Sequence, residues 1–386
     1  MIMNKVNKMN KLSFPRCVAA LALASALAAN AQDTIIVRIG QVGPTSGPAA
    51  HLGKDNVNGA RLAIADLNAR GLRIGGKPAR FELIAEDDAA DPKQAVQVAQ
   101  KLCDQKVNGV VGHLTSGSSI PASKVYNDCG IPNISPVATN PRLTQQGYKT
   151  TFRLLANDNI TGAGLANLVA GELKLAKVAI VDDRSAYGQG VADAFKKTAQ
   201  AKGLKVVAEQ FTSDKAMDFT SLLTAIKASG AEVIFYGGLD AQAGPMLRQM
   251  QQLGMSKVRL MGGDGICTAR LAELAAGSDA LAQAICAEGG VSIEKMPGGP
   301  AWKKRYDAAY PSDFQGNAPY GYDAVMALAE AMQKANSADP KVYATRLFEI
   351  DAQGITGRLA FDANGEMKGP AMTFSHYVAG KKVPLN

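Results

Sequence analysis

The sequence predicts an α/β protein built from two doubly wound parallel-sheet lobes that are joined by hinge strands. Short β-branched runs alternate with helical periodicity from Ile35 onward, which is typical of βαβ units. The series restarts after residue 155, which indicates a second sheet. The chain has 386 residues, more than one hydrophobic core usually holds.

The first lobe is predicted from three strand–helix pairs. Ala60, Ala63, Ile64 and Leu67 follow the first strand and repeat at i, i+3, i+4 and i+7, so they share one helix face. The same pattern follows two further apolar runs. Strands are expected at 35–42, 81–85 and 109–112, and the helices after them are expected to include 60–67, 95–103 and 121–128.

An extended segment at 150–155 leads into the second series. No Pro- or Ser-rich linker separates the two halves, so we expect short hinge strands and a ligand in the cleft between the lobes. The tail from Gly289 is less regular, and patterning alone does not assign it to a lobe. Strands are expected at 178–181, 205–209, 233–236, 258–261 and 357–361, and helices at 191–199, 219–227 and 318–334.

The first 31 residues have the pattern of a secretory signal. Four basic side chains precede an apolar run at 18–28, and Ala29-Asn30-Ala31 follows, so we expect cleavage after Ala31. The run is too short to span a bilayer. Cys17 lies before it, so the arrangement of exported lipoproteins is absent. We expect a free protein in the periplasm.

Removing this segment lowers the formal net charge from +8 to +4, because it contains four basic and no acidic residues. No basic stripe with interleaved aromatic residues is present, which excludes an obvious nucleic-acid surface. We expect a monomer that uses no cofactor and binds no nucleic acid.

Four cysteines remain after cleavage, and an even number in an oxidising compartment favours disulfides. Pairing by neighbourhood predicts Cys103 with Cys129 and Cys267 with Cys286. The alternative is buried free thiols, since Cys103 continues the apolar face of its helix.

Three polar segments follow predicted strands. The loop 112–119 leads into a helix whose first turn is expected to contain Pro121. The hydroxyls and backbone N–H groups of this loop suit an anion. The alternative is that the serines only cap the helix. The segment 134–141 could bind an anion in the same way, through the Thr139 hydroxyl and the backbone of Val137. The alternative is an ordinary helix start at Asn140-Pro141. Asp264 lies among glycines and could hold an ammonium group, or it could be a turn residue.

Signatures of catalysis and of metal binding are missing. The sequence contains no phosphate-binding loop, zinc helix, C-x-x-C or nucleophile elbow, and its three histidines form no obvious constellation. Asp87, Asp88 and Asp91 form an acidic cluster but lack the Gly and Glu positions of a calcium loop. We expect them to cap a helix, and we expect the protein not to be an enzyme.

A series of short motifs runs through the whole mature chain in order. They are S-G-P at 46–48, N-G-A at 58–60, D-P-K-Q-A-V at 91–96, G-H-L at 112–114, P-A-S at 121–123, A-T at 138–139, Y-G at 187–188, Y-G-G at 236–238 and M-G-G-D-G at 261–265. In this the sequence resembles the periplasmic leucine/isoleucine/valine-binding proteins of ABC transporters, which have the type I periplasmic binding fold. With that fold, we expect residues 32–157 and 288–362 in one lobe and 158–287 and 363–386 in the other.

The resemblance implies a site for a zwitterion. By its motifs, Ser116 and Thr139 hold the α-carboxylate of the ligand, Val137 offers backbone groups, and Asp264 binds the ammonium group. Tyr187 is the tyrosine of the Y-G element. Leu52 and Leu239 stand where some members have aromatic residues, so the pocket wall is expected to be aliphatic or differently shaped.

The resemblance therefore implies a receptor that captures an α-amino acid, leucine, isoleucine or valine, by cleft closure and delivers it to a membrane permease. Two alternatives stay open, a ligand sensor with the same fold and a receptor for another small amino acid, an amide or an aromatic acid. An exported α/β enzyme is a third class, but no nucleophile and base stand at recognisable spacing.

Overall fold

The structure, a computed structural model, describes residues 34–385. The predicted signal peptide, with its cleavage site at Ala31, lies outside the described residues. The described part forms two α/β lobes, each with its own central sheet and hydrophobic core.

The sheet of the first lobe has six strands in the order β2-β3-β1-β4-β5-β6. All neighbours are parallel except the short β2, which pairs antiparallel with β3. The central strand β1 is buried along most of its length, because helices cover both faces of the sheet. The strands are β1 Ile35–Gly43, β2 Arg73–Ile74, β3 Lys77–Asp87, β4 Gly109–Val111, β5 Asn133–Ser135 and β6 Thr151–Arg153.

The sheet of the second lobe has seven strands in the order β15-β14-β11-β10-β9-β7-β8. Strands β7 to β11 are parallel, and β14 and β15 add an antiparallel edge. A separate two-stranded sheet, β12-β13, lies in the tail. The strands are β7 Lys177–Asp182, β8 Lys205–Phe211, β9 Val233–Gly237, β10 Arg259–Gly262, β11 Ile285–Gly289, β12 Asp351–Gln353, β13 Arg358–Ala360, β14 Met372–Val378 and β15 Lys381–Pro384.

The helices cover the faces of these two sheets. The prediction that Pro121 lies in the first turn of its helix is wrong, since that helix begins at Ser116 and contains the proline internally. The fixed φ of proline is compatible with a helix, so the residue was a poor marker of the start. The helices are α1 Ala50–Arg70, α2 Pro92–Asp104, α3 Ser116–Cys129, α4 Arg142–Gln145, α5 Asp158–Gly171, α6 Ala186–Ala201, α7 Thr220–Ser229, α8 Asp240–Gln252, α9 Arg270–Leu274, α10 Gly299–Ala309, α11 Ala318–Ala335 and α12 Pro340–Tyr343.

Most of the tail packs on the first lobe. The buried carboxylate of Asp55 in α1 accepts hydrogen bonds from the Tyr306 hydroxyl (2.7 Å) and from the N–H groups of Asn317 (2.7 Å) and Ala318 (2.9 Å). These bonds anchor α10 and α11 against α1, in one core with the first sheet.

The chain crosses between the lobes a few residues beyond the boundaries expected at 288 and 363. Strand β11 of the second sheet continues to Gly289. After β13 the chain still contacts the first lobe, because the Arg153 N–H donates to Gly365 O (2.9 Å). These differences arise because a strand end or a returning turn is assigned by its hydrogen-bond partners, which lie far away in sequence.

Both predicted disulfides are present, with the expected pairing. Cys103–Cys129 joins α2 to α3 in the first lobe, and Cys267–Cys286 joins the segment after β10 to β11 in the second. Each disulfide closes a loop within one lobe, so it stabilises that lobe without restricting motion between the two.

Replacing Cys267 and Cys286 together by serine is expected to lower the free energy of unfolding by about 3 kcal/mol, because the unfolded chain regains the entropy of an open loop. Urea denaturation measures the change, and peptide mapping without reductant checks the pairing. A peptide that links Cys103 to Cys267 would contradict the assignment of one disulfide to each lobe.

One buried carboxylate lies at the start of the second lobe. Neither carboxylate oxygen of Asp158, the first residue of α5, makes a hydrogen bond of normal geometry among residues 34–385, and the side chain is inaccessible to solvent. Thr139 and Arg153 favour its ionised form, but burial outweighs them. Burial, with a smaller contribution from the charge of Asp264, raises the pKa of Asp158 from 3.8 to about 8. The side chain is therefore mostly a neutral acid at neutral pH.

Replacing Asp158 by asparagine is expected to stabilise the protein at pH 8 by a few kcal/mol and to change little at pH 4. The folded state keeps the Asp158 proton between about pH 4 and 8 while the unfolded state loses it, so stability falls by up to about 1.4 kcal/mol for each pH unit in this window. The asparagine side chain does not titrate, so the variant lacks this pH dependence. Urea denaturation at both pH values measures the difference.

The matched control is Asp193→Asn on the exposed face of α6, which should leave stability unchanged at both pH values. An equal effect of Asp158→Asn at pH 4 and pH 8 would contradict the protonated state of Asp158.

Candidate functional site

A cavity of about 620 Å³ lies between the two lobes. It opens at the carboxyl ends of the strands in both sheets, where α/β proteins bind their ligands. Every residue proposed for the ligand site from sequence borders this cavity. These residues are Leu52, Ser116, Val137 and Thr139 from the first lobe, and Tyr187, Leu239 and Asp264 from the second.

Hydroxyl groups and a helix start form the side of the cavity that belongs to the first lobe. The Ser116 Oγ accepts a hydrogen bond from the Asn140 N–H (3.1 Å), which leaves its own hydrogen free to donate. The Thr139 hydroxyl is buried and makes no hydrogen bond of normal geometry among residues 34–385, although its side chain lowers the pKa of the adjacent Asp158 carboxyl. Ser116 is also the first residue of α3, and Thr115 at its N-cap makes no side-chain cap bond. The positive end of a helix and two available hydroxyls suit an anion.

The loop that carries Thr139 is held by a buried arginine. Arg153 in β6 is inaccessible to solvent, and its Nη1 donates to Ala138 O (2.7 Å) and Asn140 O (3.0 Å). Its Nη2 donates to Glu366 Oε1 (2.8 Å). The two carbonyl bonds flank Thr139 and therefore hold the backbone of the loop on both sides of it.

Sequence reasoning missed Arg153. The available signal was a lone arginine in the extended segment between Phe152 and Leu154. A charged residue in such a run is expected to be buried only when it has a partner, and here the partner is 213 residues away.

An acidic group forms the opposite side of the cavity. Asp264 begins a 3₁₀ turn directly after β10, and its Oδ1 accepts a hydrogen bond from the Tyr187 hydroxyl (2.9 Å). The same hydroxyl oxygen accepts from the Gly265 N–H (2.9 Å). Tyr187 therefore orients the carboxylate towards the cavity.

Tyr187 reaches this position because α6 begins very close to the end of β9. A Cβ atom at Gly188 would lie 2.4 Å from Gly237 O, and one at Gly237 would lie 2.1 Å from Gly188 O. Only glycine at both positions allows this approach. The Y-G and Y-G-G elements of the sequence thus meet in space.

The charge of Asp264 is only partly balanced. Burial raises its pKa to about 6, and the hydrogen bond from Tyr187 acts in the opposite direction. This value already includes a smaller upward effect of the negative charge of Glu288. At pH 7 Asp264 is mostly ionised and gains from a cation in the cavity.

Aliphatic side chains connect the two polar ends of the cavity. Leu52, Leu114 and Val137 form one buried cluster on the first lobe, and Leu239 faces the same cavity from the second. Leu114 was not among the residues proposed from sequence, although it belongs to the G-H-L element. These residues offer a wall for an apolar group.

The polar residues considered for metal or catalytic roles form structural contacts. His113 Nδ1 lies 2.7 Å from Asp88 Oδ2, and its Nε2 lies 3.0 Å from the Tyr126 hydroxyl, with both side chains of the first pair fully buried. Asp91 caps α2 by accepting from the Lys93 and Gln94 N–H groups. Residues 34–385 contain no group of three or more His, Cys, Asp or Glu side chains that could hold a metal ion.

Within the same residues, no helix is long and apolar enough to cross a membrane.

The sequence profile of the periplasmic binding protein family matches residues 36–381. An amino acid binding protein of Pseudomonas aeruginosa is 36% identical over 361 residues, which cover 93% of this chain and 95% of that protein. A leucine-, isoleucine-, valine-, threonine- and alanine-binding protein of the same organism is 34% identical and covers 92% of each chain.

A solved structure is also similar. The branched-chain amino acid transporter substrate-binding protein of Streptococcus pneumoniae, in complex with isoleucine, superposes with a TM-score of 0.81 at 26% identity and covers 91% of this chain and 99% of that one. The superposition covers 91% of this chain and therefore includes both lobes. The chain belongs to the periplasmic binding protein family, and its fold is the type I periplasmic binding fold.

Proposed function

We propose that this protein is the periplasmic receptor of an ABC importer and captures an α-amino acid by closing its two lobes. One observation carries the proposal. The cavity between the lobes has an anion, Asp264, on one side and the hydroxyls of Ser116 and Thr139 on the other. This arrangement complements a molecule with an ammonium group and a carboxylate.

Closure follows from the same geometry. A carboxylate and an ammonium group lose water when they are buried, and each needs a partner in the site. The two partners lie on different lobes, so the ligand is fully satisfied only when both lobes contact it. Binding energy then favours the closed arrangement.

The aliphatic wall favours a branched side chain such as that of leucine, isoleucine or valine. Leu52, Leu114 and Val137 lie together on one side, and Leu239 lies on the other. Two similar proteins support this choice of ligand. They are the leucine-, isoleucine-, valine-, threonine- and alanine-binding protein of Pseudomonas aeruginosa and the Streptococcus pneumoniae protein in complex with isoleucine.

Delivery to a permease completes the proposal. The basic and apolar segment before Ala31 fits a cleaved signal peptide, and the two disulfides fit an oxidising periplasm. The mature protein would diffuse as a monomer between the outer medium and the membrane transporter. Its role is binding without catalysis.

Mass spectrometry of the ligand that is released when freshly purified protein is denatured tests the proposal directly. A branched-chain amino acid is the expected result. A dicarboxylate, a sugar or a nucleoside would contradict it, because none of these carries an ammonium group for Asp264.

Asp264→Ala is expected to weaken leucine binding by roughly a hundredfold to a few thousandfold. Its loss leaves the ligand ammonium group buried without a counter-charge, at a cost of about 3 to 5 kcal/mol. Ser116→Ala should cost less, about 1 to 3 kcal/mol, because it removes one donor among several. Calorimetric titration of each variant with L-leucine measures both effects.

The control ligand is 4-methylpentanoate, which is leucine without its amino group. It should bind weakly to the original protein and lose little further affinity in Asp264→Ala. The ammonium role of Asp264 is wrong if the variant binds leucine within about threefold of the original protein, or if both ligands weaken equally.

Leucine affinity is expected to fall in acid, about tenfold between pH 7 and pH 5. Asp264 has a pKa of about 6 in the ligand-free cavity, and the ammonium group favours its ionised form. Below pH 6, binding therefore requires Asp264 to lose a proton, which lowers the affinity. Above pH 7 this effect is absent. Calorimetric titration from pH 5 to pH 8 measures the slope, and Asp264→Ala should lack it.

A further inference from the structure

We propose that His51 and Asp240 form a latch across the cleft, which is made only in the closed protein and slows ligand release without touching the ligand. His51 is the second residue of α1 in the first lobe, and Asp240 is the first residue of α8 in the second. His51 Nε2 lies 2.9 Å from Asp240 Oδ2. The two side chains are 12% and 1% exposed, so the contact is largely shielded from water.

The latch lies directly behind the apolar wall of the cavity. Leu52 and Leu239, the sequence neighbours of His51 and Asp240, border the cavity from opposite lobes. A bond between His51 and Asp240 therefore ties together the two chain segments that carry these leucines. Opening the cleft has to break the contact between His51 and Asp240.

The donor and the acceptor can be assigned in each hydrogen bond of the latch. Arg270 Nη1 lies 2.8 Å from His51 Nδ1, and a guanidinium nitrogen can only donate. Nδ1 must therefore accept, which places the ring hydrogen of a neutral imidazole on Nε2. This hydrogen is donated to the carboxylate of Asp240.

The second lobe holds its part of the latch in place. The Thr268 hydroxyl donates to Asp240 Oδ2 (2.7 Å) and accepts from the Leu271 N–H (3.1 Å). Asp240, Thr268 and Arg270 all lie in the second lobe, so only His51 arrives from the other side. The Asp240 carboxylate is thus held in place before closure, which lowers the entropic cost of its contact with His51.

The latch adds stability to the closed state alone, and it rests on the proposed capture by cleft closure. In an open cleft, water can solvate His51 and Asp240, so neither group is left unsatisfied. In the closed cleft they satisfy each other through hydrogen bonds that involve charged groups, which are stronger than neutral ones. Removing His51 should therefore speed opening and leave the encounter with the ligand unchanged.

The principal test is the release rate of L-leucine, measured by stopped flow on His51→Ala. We expect release to become about ten- to a hundredfold faster, with the association rate within about twofold of the original, as for the loss of hydrogen bonds to charged groups. Thermal stability without ligand should not change. Release within twofold of the original overturns the latch.

Two further variants separate hydrogen bonding from packing. Lys54→Ala, on the exposed face of the same helix, is the matched control and should release leucine at the original rate. His51→Phe keeps a ring of similar size but cannot donate or accept, so it should behave as His51→Ala does. A slow release by His51→Phe would show that packing holds the cleft shut and would overturn the latch.

A double-mutant cycle tests the pairing. Asp240→Asn alone should speed leucine release, but it should have little further effect in the presence of His51→Ala, because the shared contact is already lost. Additive effects on the release rate would show that the two residues act separately and would overturn the proposal.

The distance between the two lobes is a second measure of closure, and it can be determined with and without ligand. Lys93 and Lys215 are exposed on opposite lobes near the mouth of the cavity, and the four cysteines from Cys103 to Cys286 are paired in disulfides, so cysteines introduced at these two lysines can be labelled selectively. With leucine, the original protein should show a short distance, and His51→Ala should show more of a longer one.

The same labels distinguish failure of the latch from failure of the proposed function. If none of the twenty amino acids shortens the distance in the original protein, the amino-acid function fails. The ligand-free distributions then decide the latch, which requires a larger closed fraction in the original protein than in His51→Ala. Equal fractions overturn it.

Discussion

The buried guanidinium of Arg153 is the interaction on which the cleft depends. It joins the edge strand β6, the carbonyls on both sides of Thr139, and Glu366 in the turn that leads back to the second lobe. A buried charge is tolerated only when its hydrogen bonds are satisfied, and here the satisfied charge fixes a binding loop. The same residue thus links the wall of the cavity to a crossing between the lobes.

Three carboxylates near the cleft differ in state because their surroundings differ. Asp264 is oriented by Tyr187 and is mostly ionised at neutral pH, with a pKa of about 6, whereas Asp158 makes no hydrogen bond of normal geometry and has a pKa of about 8. The negative charge of Asp264 raises the pKa of Asp158, and the charge of Glu288 raises the pKa of Asp264. Glu288, which also borders the cavity, is paired with Lys382 (2.8 Å). Of these three carboxylates, Asp264 is the one that is mostly ionised and has no salt-bridge partner among residues 34–385, as the proposed binding of an ammonium group requires.

Affinity in a closing protein arises from two sources, contacts with the ligand and contacts between the lobes. In the proposed function, groups on both lobes bind the ligand, and the pair of His51 and Asp240 is an additional contact between the lobes. Interlobe contacts stabilise the closed state for any ligand that permits closure. We propose that such contacts set the residence time of the ligand, while side chains that line the cavity, such as Leu52 and Leu239, contribute to selectivity.

Local patterns were enough to predict the alternating elements, the two disulfides and the loops at the strand ends. Helical and strand periods are local properties, and parallel strands bring their carboxyl ends to one edge. The assignment of Ser116, Thr139 and Asp264 to ligand roles came from the family resemblance, and all three border the cavity. Only the tertiary structure decided the partner of Arg153, the packing of α11 on α1, the internal place of Pro121 and the approach of His51 to Asp240. Those depend on contacts between segments up to 263 residues apart, such as Asp55 and Ala318, which no local pattern encodes.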